Sequence, residues 1–330
     1  MTELHVDRRP EHERDPLGHR QGPPRRRPDR ARRDRRPGGR PLARVVGLAT
    51  CSEVASLDPD DRLLVRPLAE RGIEAVAAVW DDPGVDWAAF DLVVIRSTWD
   101  YAERREAFLD WTRSLPRVLN PVPVLEWNTD KQRYLADLGA AGVPIVPTRF
   151  VPPGSALEPP SEPFVVKPAV SAGGRSSARF EPEETDAARA LLARIHAEGR
   201  MAMIQPYLGE VEETALVYID DVYSHTIRRR VPLPAAGARA VLYLDEEIEP
   251  AEATQDERNT AEAALACAPG ELLYGRVDLI GGAVLELELA EPSLYLWCGE
   301  GSAGRFADAI AAAASQRRRI KAEKGPTTSQ

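Results

Sequence analysis

The chain has 330 residues, which is enough for two or three domains with hydrophobic cores of their own. No apolar run reaches the roughly 18 residues of a membrane-spanning helix, and no apolar segment follows the charged N-terminus as it would in a secretory signal. Three scattered cysteines, Cys51, Cys267 and Cys298, argue against both a disulfide framework and a cysteine metal site. We therefore expect a cytoplasmic protein.

Charge is distributed unevenly along the chain. The net charge is −9, yet residues 1–44 hold 14 arginines against 7 acidic residues, and residues 317–330 hold 5 basic residues against 1 acidic residue. The body between them is strongly acidic, which disfavours nucleic-acid binding because phosphate contacts supply most of that affinity. The Arg/Pro bias of residues 1–43 cannot form a core, so we expect a disordered tail or the product of an upstream start codon. No aromatic residue is present there to stack on bases.

Strands and helices alternate at the start of the body. Apolar patterns predict strands over 44–50, 73–80 and 91–96, with helices over about 59–71 and 102–114. The first helix contains a proline, Pro67, that should kink or shorten it. This alternation predicts a parallel sheet covered by helices, and thus an α/β fold class. Because no Gly-x-Gly-x-x-Gly follows the first strand, a dinucleotide-binding domain is disfavoured.

Polar and aromatic side chains follow the third predicted strand: Arg96, Ser97, Thr98, Trp99 and Asp100. Ligands of open α/β sheets bind beyond the carboxyl ends of the strands. These residues are therefore candidates for holding a small polar substrate. The alternative is that Asp100 only caps the next helix.

Two lysines stand in the middle of the chain. Lys131 opens a predicted helix, and Lys167 lies near the end of a short apolar strand. Lysine is rarely buried without a partner, so an anionic partner is implied. The loop that follows contains Ser171, Gly173 and Gly174, and such loops let backbone N–H groups approach phosphate oxygens. Many Gly-Gly pairs are, however, only turns.

Three further strands are predicted after this loop. The segment 201–208 predicts a strand that ends at Pro206, whose missing N–H places it at a sheet edge or exit. The segments 213–219 and 222–230 predict a hairpin around 220–221.

The second strand of that hairpin is rich in basic residues. His225 is interpreted as a half-exposed strand residue rather than a catalyst. Either Arg228 or Arg229 is a candidate to face a cleft and hold an anion.

A late hairpin around Gly281-Gly282 carries Asp278 on its first strand and Glu286 and Glu288 on its second. A strict two-residue turn points Asp278 away from the two glutamates, whereas a three-residue loop brings all three carboxylates to one face. Clustered carboxylates repel unless a cation lies between them, and oxygen ligands suit Mg²⁺ or Mn²⁺. The alternative is a solvent-exposed charged face.

The order of these features over residues 44–316 resembles the ATP-grasp superfamily, and within it the cycloserine-pathway group of O-ureido-serine cyclo-ligases. The shared segments are Asp-Pro-Asp-Asp-Arg (58–62), Arg-Ser-Thr-Trp-Asp-Tyr (96–101), Asn-Thr-Asp-Lys (128–131), Val-Val-Lys-Pro (165–168), Arg-Val-Asp-Leu (276–279) and Leu-Glu-Leu-Glu (285–288).

The resemblance implies roles for individual residues. It assigns ATP binding to Lys131, Lys167, Ser171, Gly173, Gly174, Gln205, Tyr207, Leu208 and Glu213. It assigns magnesium binding to Asp278, Glu286 and Glu288, with Glu288 standing where the superfamily usually has Asn. Arg276 resembles the arginine that steadies the transferred phosphoryl group, and Arg228 is our candidate for a second arginine of the site.

The resemblance also implies a domain layout. An N-terminal parallel-sheet domain, a small lid and a C-terminal antiparallel-sheet domain would be flanked by tails. The boundaries are 1–43 for the first tail, 44–125, 126–207 and 208–316 for the domains, and 317–330 for the basic tail.

The activity implied is ATP-dependent ligation. A small-molecule carboxylate is converted to an acyl phosphate, which an amine-type nucleophile attacks within the same molecule or from a second one. The partners are thus small-molecule acids and amines, and neither nucleic acid nor membrane is expected. Assembly into a homo-oligomer is a further possibility. The alternatives are a kinase-like enzyme on the same fold and a nucleotide-binding protein without turnover.

Overall fold

The structure is a computed structural model that describes residues 44–172, 176–209, 211–230 and 247–323, with side chains up to residue 316. All these ranges belong to one compact unit that begins at residue 43. The predicted tail 1–43 lies outside the described residues. Within the described ranges, no helix has the length and apolar character to cross a bilayer.

Four parallel strands form the first sheet, in the order β2-β1-β3-β4. The strands are β1 (Arg44–Thr50), β2 (Ile73–Val79), β3 (Leu92–Ser97) and β4 (Val118–Leu119). The helices between them are α1 (Val65–Glu70) and α2 (Arg105–Ser114). This confirms the parallel sheet predicted from the strand–helix alternation. Pro67 lies in the first turn of α1, where its missing N–H has no intrahelical acceptor, and α1 is only 6 residues long.

Two helices connect this sheet to the rest of the fold: α3 (Val122–Asn128) and α4 (Lys131–Ala140). The first was not predicted, although its prolines stand at the helix start, where proline is tolerated. Asn120 precedes α3 and Asn128 is its last residue, and their amides bind the backbone of the late hairpin and of the residue after it. Asn120 Nδ2 donates to the carbonyls of Tyr274 and Leu289 at 2.8 Å, and Asn128 Nδ2 donates to that of Leu287 at 2.8 Å. The two side chains thus fix the position of the hairpin.

A second, antiparallel sheet has the order β5-β8-β6-β7. Its strands are β5 (Arg149–Val151), β6 (Phe164–Pro168), β7 (Ala178–Phe180) and β8 (Ala202–Pro206), and helix α5 (Thr185–Ala197) covers it. Leu191, Leu192 and Ile195 of α5 pack with Phe164 and Phe180 into one apolar cluster. Pro206 is the last residue of β8, so the predicted strand exit is confirmed.

The third sheet is antiparallel with the order β11-β10-β9-β12-β13. Its strands are β9 (Glu213–Ile219), β10 (Val222–Arg230), β11 (Glu247–Ala251), β12 (Tyr274–Ile280) and β13 (Ala283–Glu288). The helices α6 (Gln255–Leu265) and α7 (Ser302–Glu323) complete the described fold. The predicted hairpin of β9 and β10 is confirmed, with Asp220 and Asp221 both left-handed at φ 53° and 59°.

The third sheet has an apolar face and a charged face. Val277, Leu279 and Leu287 pack with residues of α4 and α6 in one buried cluster. Because side chains alternate along a strand, the residues between them project from the opposite face. That opposite face carries the charged side chains of the candidate site.

Candidate active site

The late hairpin closes with a two-residue turn, Gly281-Gly282, in which both glycines are left-handed at φ 57° and 80°. Ile280 pairs with Ala283 across this turn. Left-handed conformations at both central positions favour glycine and suit the twist of a hairpin. Taken alone, a turn of this kind points Asp278 away from Glu286.

A β-bulge reverses that consequence. The register shifts between Asp278 and Leu279, so that Leu279 pairs with Val284 while Asp278 pairs with Glu286. One extra residue on β13 is thereby accommodated, as in other bulges. Arg276 then pairs with Glu288. The three carboxylates share one face, as the three-residue loop was expected to achieve, but by a different route.

Arginines pair with Asp278 and Glu288, the two acids that form the floor of the site. Asp278 is fully buried, and its Oδ1 accepts from Arg276 Nε at 2.8 Å while its Oδ2 accepts from Arg229 Nη2 at 2.7 Å. Arg276 Nη2 also donates to Glu288 Oε1 at 2.5 Å. Burial raises the pKa of Glu288 to about 7, with the charges of Asp278 and Glu286 acting in the same direction and that of Arg276 opposing them. The ionised form of Glu288 is therefore disfavoured at the floor of the site, even though Arg276 pairs with it.

The two lysines reach the same place but differ in their partners. Lys131 Nζ lies 2.8 Å from Glu286 Oε1 and donates to the carbonyl of Ser171 at 3.0 Å. Although burial opposes it, the charges of Lys131 and Lys167 lower the pKa of Glu286 to about 2. Lys167 makes no hydrogen bond or ion pair with any residue the structure describes, and burial lowers its pKa. An unpaired, largely buried ammonium points to an anionic ligand.

A cavity of about 470 Å³ unites the predicted residues. Its walls include Lys131, Lys167, Ser171, Gln205, Tyr207, Leu208, Glu213, Arg276, Glu286 and Glu288. Asp278 lies beneath the wall, and Gly173 and Gly174 lie outside the described residues. The Tyr207 N–H donates to the carbonyl of Pro163 at 2.8 Å, and Gln205 Nε2 donates to Thr148 Oγ1 at 2.9 Å.

The second arginine of the site is Arg229, which corrects the choice of Arg228. Arg229 Nε donates to Glu213 Oε2 at 2.9 Å, and its side chain is 11% exposed on the cavity wall. The Arg228 side chain is 39% exposed and lies 4.0 Å from Glu212. Adjacent residues of a strand project from opposite faces, so only one of the two can enter the cavity.

We expect Arg229→Ala to lower kcat/KM at least about tenfold, because it removes a charge-assisted hydrogen bond from buried Asp278. Arg228→Ala should stay within about twofold of wild type, since its charge is solvated. Steady-state ADP release measured on both variants checks this. A larger loss in Arg228→Ala than in Arg229→Ala would contradict the assignment.

The cluster after the third strand does not line the cavity as a unit. Arg96 is 1% exposed, and its Nε donates to Asp61 Oδ1 at 2.8 Å while Nη2 donates to the Pro292 carbonyl at 2.9 Å. Ser97 Oγ also donates to Asp61, and Thr98 is buried. Arg96 therefore ties the 58–62 segment to the loop after β13 instead of gripping substrate.

Asp100 likewise lies outside the cavity lining. Its Oδ1 accepts from Trp80 Nε1 at 2.8 Å, and its other oxygen pairs with Arg104. It makes no side-chain cap at the turn that follows, so the capping alternative is wrong as well. Of the five predicted residues only Trp99 lines the cavity.

Several cavity residues carried no prediction. Asp60, Glu291, Tyr295 and Trp297 all line it. The 58–62 segment and the Glu-Pro pair after β13 were visible as sequence patterns, but neither indicates by itself which side chain faces the cavity. His225 is buried rather than half-exposed, with Nε2 2.9 Å from the carbonyl of Leu294, and it is not among the cavity residues.

The carboxylates suit a magnesium ion in their chemistry. They offer oxygen donors only, and a divalent cation would favour the ionised form of Glu288, which burial and the neighbouring acids disfavour. Glu286 and Glu288 line the cavity, whereas both oxygens of Asp278 are engaged by arginines. In the described ranges, no three His, Cys, Asp or Glu side chains are grouped as a metal site. Glu286 and Glu288 are thus the two residues best placed to hold the ion.

Comparison with known proteins shows the family of the chain. A family model described as D-cycloserine synthetase DcsG, N-terminal domain, matches residues 46–120. The cycloserine biosynthesis protein DcsG of Streptomyces lavendulae is 37% identical over 294 residues, which cover 81% of this chain and 98% of that protein. The crystal structure of D-cycloserine synthetase DcsG superposes with a TM-score of 0.72 at 34% identity and covers 82% of this chain and 100% of its own.

More distant structures share the fold. D-alanine–D-alanine ligase from Bacillus anthracis, complexed with ATP, gives a TM-score of 0.59 at 15% identity, covering 86% of this chain and 100% of its own. The ATP-grasp ligase PsnB with its minimal precursor gives 0.55 at 17% identity, covering 83% and 100%. The chain therefore belongs to the D-cycloserine synthetase family of ATP-grasp ligases, enzymes that use ATP to form C–N bonds.

Proposed function

We propose that this enzyme closes a ring within a small amino acid after activating its carboxylate with ATP. A carboxylate is a poor electrophile, but transfer of the γ-phosphoryl group gives an acyl phosphate whose leaving group is phosphate. A nitrogen of the same molecule attacks the carbonyl carbon, the bond from that carbon to the phosphate oxygen breaks, and the nitrogen loses a proton. Ring closure is supported by the 37% identity to a cycloserine biosynthesis protein.

The observation that carries the phosphoryl chemistry is the meeting of Lys131, Lys167, Arg229 and Arg276 in one cavity. Phosphoryl transfer needs positioning and charge neutralisation more than covalent help from side chains. We assign the two lysines to the ATP phosphates and Arg276 to the transferred group. Mg²⁺ held by Glu286 and Glu288 would supply further neutralisation of phosphate charge.

The adenine end of ATP is assigned to the segment that leaves β8. Because the N–H of Tyr207 is used by Pro163, we assign recognition of the adenine edge to the Tyr207 carbonyl and the Leu208 N–H. Glu213, at the start of β9, lies on the ribose side. The lid, which we place at residues 126–207, would exclude the water that hydrolyses an acyl phosphate.

The test is turnover of O-ureido-D-serine, the D form of the compound after which the resembling group is named. Purified protein with ATP and Mg²⁺ should release ADP and phosphate in equal amounts together with a cyclic product detected by mass spectrometry, and excess EDTA should stop the reaction. Accumulation of a phosphorylated acid without a ring would identify a kinase instead. ADP release that does not depend on the acid would contradict the proposal.

A further inference from the structure

Glu291 differs from the other acids that line the cavity. Glu286 and Glu288 are paired with Lys131 and Arg276, respectively. The Glu291 side chain has no hydrogen bond and no ion pair with any of the residues that the structure describes, yet Glu291 is only 9% exposed and lines the cavity. A buried carboxylate without a partner is energetically costly. A carboxylate without a protein partner on the wall of a cavity points to a ligand.

The segment that carries this side chain is held from two directions. Trp99 Nε1 donates to the carbonyl of Glu291 at 3.3 Å. Arg96 Nη2 donates to the next carbonyl, that of Pro292, at 2.9 Å. Arg96 lies in β3 and Trp99 shortly after it, and both are far from Glu291 along the chain. The backbone at Glu291 is thus held in place on the wall, as the support of a recognition group must be.

The surroundings favour an organic cation as its ligand. Burial raises the pKa of Glu291 well above its usual range, and the charge of Glu288 acts in the same direction, so the ionised carboxylate needs a cation beside it. Lys131 and Arg276 oppose this shift, but each already pairs with another acid. No triad of acidic, His or Cys side chains in the described ranges is grouped for a metal ion. Trp99 and Tyr101 are also wall residues, and the hydrogen bond from Trp99 to the Glu291 carbonyl places an aromatic side chain near Glu291. Aromatic rings and carboxylates together suit an ammonium group.

We infer that Glu291 receives the ammonium group of the substrate, so that the enzyme selects an amino acid over the same acid without its amine. The inference rests on the proposed function, and it names the substrate group that Glu291 binds. Glu291 follows the proposed magnesium ligand Glu288 by three residues. In an α-amino acid one carbon separates the ammonium group from the carboxylate. Because Glu291 lines the same cavity as Lys131 and Arg276, a molecule anchored at Glu291 presents its carboxylate toward the phosphate-binding side chains.

The experiment compares two ligands on three proteins. Isothermal titration with Mg²⁺ and a non-hydrolysable ATP analogue present would measure binding of O-ureido-D-serine and of 3-(ureidooxy)propanoate, the same molecule without its amino group. The proteins are wild type, Glu291→Gln and, as a matched control, Glu300→Gln, whose side chain is exposed nearby in the sequence. Urea unfolding of Glu291→Gln should show little loss of stability, because glutamine keeps the shape of the side chain and Glu291 has no hydrogen-bond or ion-pair partner among the described residues.

We expect wild type and Glu300→Gln to bind the amine-bearing ligand about 10- to 100-fold more tightly than its deamino counterpart, the range of one charge-assisted hydrogen bond. In Glu291→Gln this preference should fall to about twofold or less, with affinity for the ATP analogue unchanged. A preference that survives in Glu291→Gln, or that is absent from wild type, overturns the inference. Wild-type protein that binds with this preference but forms no ring contradicts the proposed function alone, so the two failures are distinguishable.

Discussion

Replacing Arg276 with alanine is expected to cause the largest loss in both stability and turnover. The Arg276 side chain is 4% exposed and binds Asp278, Glu288 and the carbonyl of Ser293. Its removal leaves the two acids at the floor of the cavity with a single cation, Arg229, which pairs with Asp278. Breaking a buried ion pair by removing one partner costs about 3–5 kcal/mol. The free energy of unfolding, measured by urea denaturation, should fall by that amount.

Turnover of Arg276→Ala should fall by about 10²–10³, the range found when one donor to a developing charge is removed. Arg276→Lys separates the two effects, because it restores a positive charge without the planar fork that binds two acceptors. We expect this variant to recover part of the stability and little of the turnover, measured as ADP release. Wild-type turnover in Arg276→Lys would show that the guanidinium does not act on the transferred group.

Replacing Lys167 with alanine should weaken nucleotide binding without weakening the fold. Lys167 has no hydrogen-bond or ion-pair partner in the described part of the protein, and its burial opposes its charge. Loss of a charge-assisted hydrogen bond to phosphate costs about 1.5–3 kcal/mol, or roughly 10- to 150-fold in the Kd of an ATP analogue. Removing a desolvated, unpaired ammonium should leave the free energy of unfolding unchanged or raise it.

Isothermal titration with the ATP analogue and urea denaturation measure the two quantities. Arg189→Ala is the matched control, because Arg189 is an exposed cation on α5, the helix that covers the same sheet. It should change neither quantity. Unaltered nucleotide affinity in Lys167→Ala would show that this lysine does not bind phosphate. Loss of stability would instead show that it has a structural role.

Local patterns predicted most of the elements that build the site. The hairpin of β9 and β10 has the predicted bounds, because alternating side chains specify its strands and Asp220 and Asp221 tolerate the left-handed turn. Helix α3 was missed, because its two prolines resemble loop residues when their position at a helix start is unknown. The ATP-binding candidates that the structure describes all line one cavity.

The assignment of side chains to that cavity required contacts between distant segments. Arg228 and Arg229 are adjacent and chemically alike, and only the pairing of β10 with Glu213 shows which of them faces inward. Arg96 resembled a ligand-binding residue but forms a buried ion pair with Asp61, 35 residues earlier. A sequence shows which residues can carry a charge, whereas the fold decides which charges already have partners.

By itself, the sequence determined the strand and helix pattern, the ATP-grasp resemblance and the residue types of the site, since these depend on local propensity, alternation and motif order. The tertiary structure decided three things: the bulge that turns Asp278 toward Glu286, the entry of Arg229 in place of Arg228, and the lack of partners for Lys167 and Glu291 among the described residues. Each depends on register or on partners remote along the chain. Such registers and contacts are stabilised only when the sheets assemble, because the partner residues are then brought together.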